Sequence, residues 1–94
     1  LMPAADTLLH FQDDLAIESR RLYSGHHYAR TARGWLDNMD RRRAEVAQVM
    51  QSAYGDQAAL WQQRWRMFFM ACEELFAFDD GNAWLVAHYR FRRR

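Results

Sequence analysis

The stretch Gly25-His26-His27-Tyr28-Ala29-Arg30-Thr31 opens the longest helical pattern in this 94-residue chain. Between His26 and about Ser52, apolar residues recur at the three- and four-residue spacing of one helix face: Tyr28, Ala32, Trp35, Leu36, Met39, Val46, Val49 and Met50. Gly55 ends this helix or the loop that follows it. Because Tyr28 places a hydroxyl at the head of an apolar stripe, the partner of that hydroxyl is the first question that the sequence raises.

A second long helix is predicted from Asp56, as its cap, to about Phe78. Its apolar face is broad and comprises Leu60, Trp61, Trp65, Phe68, Phe69, Cys72, Leu75 and Phe76. The run Asp79–Asn82 has the composition of a turn. Residues 83–91 then alternate in the manner of a strand, with large apolar residues on both faces.

The first quarter of the chain is less regular. Pro3 and Asp6 suit the start of a short helix through about Asp13. Residues 15–23 fit either a strand or a continuation of that helix, and the strand is favoured because Ser24-Gly25 ends the segment sharply. The resulting order is helix, strand, two long helices and a closing strand. This order predicts a mostly helical piece from one end of an α/β sheet, since two strands alone make a poor sheet.

Composition limits what such a chain can do alone. Aromatic residues make up 15% of the chain, which is more than a domain of this size buries easily, so some rings are predicted to face a missing domain, a partner or a lipid. The net charge of +1 gives no indication of nucleic acid binding. The single cysteine excludes an internal disulfide and suits a reducing compartment. A first residue of Leu1 rather than Met predicts a fragment or a processed chain.

Two sets of candidate site residues each have two interpretations. Tyr28 is either a core-edge tyrosine bonded to a nearby carbonyl or a donor to a bound anion or substrate oxygen. Phe68, Cys72 and Phe76 lie at i, i+4 and i+8, so they form either ordinary helix packing or the wall of an apolar tunnel. Cys72 itself is interpreted as a small hydrophobic residue rather than a nucleophile.

Other polar residues give weaker indications of function. His26 and His27 diverge on a helix and do not predict a metal site. The runs Arg41–Arg43 and Arg92–Arg94 are either solvated surface or attracted to anionic lipid headgroups. No glycine-rich loop follows a strand in this sequence, so no cofactor site is predicted within the chain.

Four segments in this order carry a family resemblance. They are Leu8-Leu9-His10-Phe11, the His-Tyr-Ala-Arg-Thr run with Trp35, the stretch Trp65–Phe76 with its aromatic, Cys and Phe at four-residue steps, and Trp84–Phe91. Together they resemble the C-terminal part of the cyclopropane-fatty-acyl-phospholipid synthases, which are S-adenosylmethionine (SAM)-dependent methyltransferases. The resemblance implies that residues 1–94 are a single segment, the C-terminal part of a Rossmann-like methyltransferase fold.

The resemblance also implies a chemistry. Family members transfer a methyl group from SAM to an unsaturated phospholipid acyl chain, with bicarbonate as the general base. Carried to this sequence, Tyr28 helps to hold the bicarbonate, and Phe68, Cys72 and Phe76 line the acyl tunnel. The SAM site and the other bicarbonate ligands lie upstream of the residues matched here, so the 94 residues alone are expected to be inactive.

The implied partners are the acyl chain, an upstream methyltransferase core and a membrane surface, and a homodimer is possible. Nucleic acid is not expected. The implied location is the cytoplasm, peripheral to the inner face of the membrane. The alternative is a freestanding helical interaction module or a gene remnant without catalysis.

Overall fold

The computed structural model describes residues 2–94. Two strands and three α-helices follow one another along the chain: β1 (Leu15–Tyr23), α1 (Gly25–Arg41), α2 (Arg43–Tyr54), α3 (Ala58–Ala77) and β2 (Val86–Arg93). Short 3-10 turns occupy Thr7–His10, Gly55–Gln57 and Phe78–Gly81. The predicted α/β character, the high helix content and the closing antiparallel strand are therefore confirmed.

The two strands pair antiparallel along their whole length. Leu15 lies opposite Arg93 and Tyr23 opposite Val86, with a register shift between Ile17 and Ser19. The predicted strand over 15–23 is confirmed, whereas β2 starts three residues later than predicted and extends to Arg93. The sheet pairs a strand near the start of the chain with one at its end, and all three helices lie between these two strands in the sequence.

The start of helix α1 is fixed by a side-chain cap and by close packing at Gly25. The Ser24 hydroxyl accepts a hydrogen bond from the backbone N–H of His26 at 3.2 Å, which caps the helix. A Cβ at Gly25 would overlap with the carbonyl oxygens of Phe76 and Trp84, so only glycine fits there. The face that packs against α3 is otherwise small or flexible and comprises Ala29, Ala32, Leu36 and Met39, all of them buried.

The long helix predicted from His26 to Ser52 is two helices, so that prediction was wrong at its centre. The backbone leaves helical geometry at Arg42, with φ −106° and ψ 35°, and α2 starts at Arg43. No glycine or proline marks the break. The break lets α2 pack against α3 rather than continue along the axis of α1, and tertiary packing of this kind overrides local propensity.

Three local predictions also need correction. The helix predicted over residues 6–13 is only the 3-10 turn Thr7–His10, and the Asp6 side chain makes no capping bond. Asp56 does not cap α3, because a 3-10 turn precedes the helix and Gln57 stands at the cap position. Local sequence signals for a helix start did not anticipate the turn that Gly55 introduces, with its positive φ of 59°.

The described residues enclose little core. Only six apolar side chains are buried: Ala16, Ala29, Ala32, Leu36, Met39 and Phe76. The radius of gyration is 17.6 Å, against about 12 Å for a compact domain of this length. Phe11, Phe68 and Phe78 are each more than half exposed. This confirms that residues 2–94 do not bury all of their own aromatic side chains. Within residues 2–94, no helix is long and apolar enough to cross a membrane.

Two ion pairs join α1 to α3: Arg33 lies 3.5 Å from Glu73, and Arg66 forms a shorter pair with Asp40. Arg66 donates from Nε to Asp40 Oδ1 at 2.6 Å and from Nη2 to Asp40 Oδ2 at 3.0 Å. This hydrogen bonding, together with the positive charge of Arg66, holds the pKa of Asp40 below its usual value of 3.8. The bidentate geometry fixes the rotation of one helix against the other.

We expect Asp40→Asn to weaken the acid sensitivity of folding. Because the pKa of Asp40 is lowered in the folded state, its contribution to stability is present above pH 3.8 and is lost as the pH falls through the lowered pKa. Urea unfolding at neutral and acidic pH measures this. The loss of stability between the two should be smaller in the variant than in the parent, and an identical loss in both proteins would contradict the assignment.

Candidate functional site

Tyr28 lies in the first turn of α1 with its ring among other rings. The ring meets Phe76 edge-on at a centroid distance of 4.5 Å and Trp35 edge-on at 5.9 Å. The side chain is half-buried. No hydrogen bond within residues 2–94 involves its hydroxyl, and this oxygen is not sealed from solvent. The hydroxyl is therefore free to bond a ligand, as the functional interpretation of Tyr28 requires.

The predicted row on α3 runs from the interior to the surface. Phe76 is buried and contacts Tyr28, Cys72 is half-buried, and Phe68 is 51% exposed. Burial raises the pKa of the Cys72 thiol, which keeps it protonated and unreactive at neutral pH. The three residues share a helix face, but of the three only Phe76 makes a ring contact with Tyr28.

A chain of ring contacts leads away from Tyr28 across α1 and α3. Trp35 lies 5.8 Å from Phe69, Phe69 lies 6.1 Å from Trp65, and Trp65 lies 5.7 Å from Phe68. Sequence reasoning placed these residues on apolar stripes but gave Trp35, Phe69 and Trp65 no role of their own. Their exposure is what sets them apart, since Trp35 is 44% and Trp65 38% exposed.

These rings border an open apolar groove between α1, α2 and α3. Its volume is about 660 Å³, within the usual range of small-molecule sites. The lining residues are Trp35, Asn38, Met39, Arg42, Glu45, Val46, Val49, Met50, Trp65 and Phe69. Arg42 and Glu45 form an ion pair at 3.6 Å, so the charged part of the lining is close to neutral. We call this space the interhelical groove.

A second, smaller groove lies on the other side of Trp65. It has a volume of about 250 Å³ and is lined by Trp61, Arg64, Trp65 and Phe68. Of the three residues predicted to line a tunnel, Phe68 thus borders this smaller groove, whereas Cys72 and Phe76 border neither. Trp65 is the residue that both grooves share.

An unusual turn lies beside the start of α1. Asp79, Asp80 and Gly81 all have positive φ, at 54°, 55° and 76°. For a residue other than glycine such a conformation costs on the order of 1–3 kcal/mol. His26 Nε2 lies 2.8 Å from Asp80 Oδ1. No local spacing in the sequence indicates this pair, because its two members are 54 positions apart.

Residues 2–94 offer few groups that could bind a cofactor or a metal ion. β1 is followed directly by Ser24-Gly25-His26 rather than by a glycine-rich turn, so residues 2–94 do not form a SAM-binding loop of that kind. Across the same residues, no cluster of three or more His, Cys, Asp or Glu side chains is placed to hold a metal ion. The Tyr28 hydroxyl can donate one hydrogen bond to a ligand.

Comparisons with known proteins agree in sequence and in fold. No protein-family profile matches the chain. It is 34% identical over 95 residues to (S)-coclaurine N-methyltransferase from Papaver somniferum, covering 99% of this chain and 27% of the relative. It is 26% identical over 96 residues to pavine N-methyltransferase from Thalictrum flavum subsp. glaucum, again covering 27% of the relative.

A solved structure gives the same result. The crystal structure of coclaurine N-methyltransferase, bound to N-methylheliamine and SAH, matches 98% of this chain with a TM-score of 0.84 and 28% sequence identity, and 27% of that chain is covered. The chain thus spans about a quarter of the length of the relatives it matches.

These relatives bear on the family resemblance. All are named as N-methyltransferases, so they support its methyltransferase part and not its lipid substrate, its bicarbonate or its cyclopropane product. In sequence and in fold, the chain matches the C-terminal part of a SAM-dependent methyltransferase over nearly all of its length.

Proposed function

We propose that the chain is the C-terminal part of a SAM-dependent N-methyltransferase whose acceptor is an amine with a large apolar body. The observation that carries the proposal is the match, over 98% of the chain, to a solved N-methyltransferase bound to N-methylheliamine and SAH. SAM supplies the methyl group in such a reaction, and its transfer to nitrogen leaves SAH. No residue of this chain is assigned to SAM.

The interhelical groove supplies what such an acceptor needs. Its volume of about 660 Å³ admits a molecule of several fused or linked rings. Trp35, Phe69 and Trp65 offer aromatic faces, which attract both flat apolar rings and a protonated amine. Tyr28 does not line the groove, but its ring contacts Trp35, which does. In this proposal the Tyr28 oxygen accepts a hydrogen bond from an amine N–H and leaves the nitrogen lone pair free.

The acyl-chain function is the second candidate. It draws support from the Tyr28 hydroxyl, which has no protein partner within residues 2–94 and can donate to a bicarbonate oxygen. The apolar lining also suits a hydrocarbon tail. The membrane surface and the homodimer stay predictions of this candidate. The freestanding interaction module is not favoured, because the relatives are enzymes matched over nearly the whole chain.

The two candidates are separated by the acceptor. The complete protein that contains this chain is incubated with methyl-labelled SAM and either a multi-ring secondary or tertiary amine or vesicles of an unsaturated phospholipid. Label in the amine supports the first candidate, and label in the acyl chains supports the second. Label in neither would contradict both.

We expect Trp65→Ala to reduce kcat/KM for a multi-ring amine by roughly 10- to 100-fold, because an aromatic wall of the groove is lost. The same change should have little effect on a small aliphatic amine. Trp84→Ala is the matched control, since Trp84 borders neither groove and should retain its activity. Equal losses of kcat/KM for large and small amines would show that Trp65 does not bind the rings of the acceptor.

A further inference from the structure

The pair His26–Asp80 lies where the start of α1 meets the turn after α3. His26 Nε2 and Asp80 Oδ1 are 2.8 Å apart, while the two side chains remain 45% and 91% exposed. An exposed pair of this kind adds little to global stability. Stability therefore does not account for the strained backbone that presents the Asp80 carboxylate.

Several contacts hold the strained backbone of Asp79 and Asp80 in place. Asp79 and Asp80 are consecutive left-handed residues, and Asn82 bonds the Asp79 carbonyl through both its backbone N–H and its side-chain amide, each at 3.0 Å. Gly81 packs so closely on Ser24 and His26 that a side chain there would overlap with the Ser24 hydroxyl. Strained residues fixed in this way are concentrated at functional sites.

The pair is mechanically connected to Tyr28. His26 and Tyr28 share the first turn of α1, and Gly25 seats that turn on the carbonyl oxygens of Phe76 and Trp84. The Phe76 ring then meets Tyr28 at 4.5 Å. The link from His26 to the turn at Asp80 is a second restraint on the first helical turn, in addition to the contact between Phe76 and Tyr28.

We infer that His26 and Asp80 are a positioning pair, which holds the first turn of α1 so that the Tyr28 hydroxyl points at the reacting atoms. This inference rests on the proposed function, because it concerns the same methyl-transfer site. Neither residue touches the acceptor; both act through Tyr28. A misplaced hydroxyl lowers the rate of the chemical step and leaves SAM binding intact.

Asp80→Gly provides the sharpest test, in the complete protein that contains this chain. Glycine keeps the left-handed backbone without strain but removes the carboxylate. We expect kcat to fall about tenfold, with the KM for SAM and the melting temperature not impaired. Asp80→Asn keeps an acceptor oxygen and tolerates the same backbone, so it should restore most of the rate. His26→Phe, which keeps a ring without Nε2, should lose as much as Asp80→Gly.

Asp79→Gly is the matched control. It relieves the same kind of strain one residue earlier, but its side chain makes no bond to His26, and it should keep the parent kcat. In a Tyr28→Phe background, Asp80→Gly should cost nothing further, because the two residues act as a unit.

The outcomes separate the two proposals. A parent enzyme that transfers methyl groups, with Asp80→Gly at full kcat, overturns the positioning role alone. The same holds if Asp80→Gly lowers kcat by an equal factor with and without the Tyr28 hydroxyl. A parent protein without any methyl transfer overturns both the proposed function and this inference.

Discussion

Gly25→Ala is expected to be the most destabilising single substitution in this chain. The new Cβ would overlap with two backbone oxygens at once, those of Phe76 and Trp84. A flexible side chain could move aside, but these carbonyls belong to the end of α3 and to the segment that leads into β2. We expect the free energy of unfolding to fall by roughly 3 kcal/mol, as measured by urea denaturation of the complete protein.

Gly34→Ala is the matched control for that measurement. It is the same change in the same helix, but nothing lies within 4 Å of the added Cβ. Since alanine favours helix more than glycine, we expect it to stabilise the protein by roughly 0.5–1 kcal/mol. If Gly25→Ala proved as harmless as Gly34→Ala, the seating of α1 on the end of α3 would be wrong.

Tyr28→Phe is expected to have the largest effect on turnover. The change removes one oxygen and keeps the ring, so the contacts with Phe76 and Trp35 persist. Because the hydroxyl has no protein partner within residues 2–94, its removal leaves no buried polar group unpaired. Loss of one preorganised hydrogen bond at a reacting centre costs about 100-fold in kcat. Steady-state methyl transfer by the complete protein measures the loss of turnover, and thermal unfolding measures whether its stability is retained.

Tyr89→Phe gives the opposite pattern and serves as control. The Tyr89 hydroxyl donates to the Ala5 carbonyl and fastens the N-terminal segment to β2. Its loss should cost about 1 kcal/mol of stability and leave turnover unchanged. If Tyr28→Phe instead loses stability and keeps its rate, then Tyr28 is a structural residue and the site lies elsewhere.

Periodic elements of the fold could be predicted from the sequence. β1, α1, α3 and β2 each carry a repeat of two or of three to four residues over a long stretch, and Gly55 correctly marks the end of α2. The break at Arg42 could not be predicted, because its neighbours are good helix formers and the apolar stripe continues through it. The packing of α2 against α3 explains the break, and this packing is visible only in the structure.

The site was less accessible to sequence reasoning than the fold. A phenol at the head of an apolar stripe is visible in the sequence and drew attention to Tyr28, but the functional interpretation of Tyr28 came from the family resemblance and stays a prediction. The interhelical groove and the His26–Asp80 pair each bring together distant segments, so no local spacing signals them. The left-handed backbone of Asp79 and Asp80 also escapes a composition argument, because aspartate commonly occupies ordinary turns.

The lipid substrate was a consequence of the resemblance rather than of the residues. An apolar row such as Phe68, Cys72 and Phe76 is compatible with a hydrocarbon tail, a fused-ring amine or simple packing. The structure buries Phe76, exposes Phe68 and places neither Cys72 nor Phe76 in either of the two grooves described above. The relatives then indicate nitrogen as the methylated atom in their own reactions.

We propose above all that this chain belongs to a protein that transfers methyl groups from SAM. The most direct measurement is the incubation of the complete protein with methyl-labelled SAM and an apolar secondary amine, followed by mass spectrometry of the amine. We expect an amine heavier by one labelled methyl group, with a rate that falls about 100-fold in Tyr28→Phe. An unlabelled amine and unlabelled phospholipid, from a folded protein with SAM present, would contradict it.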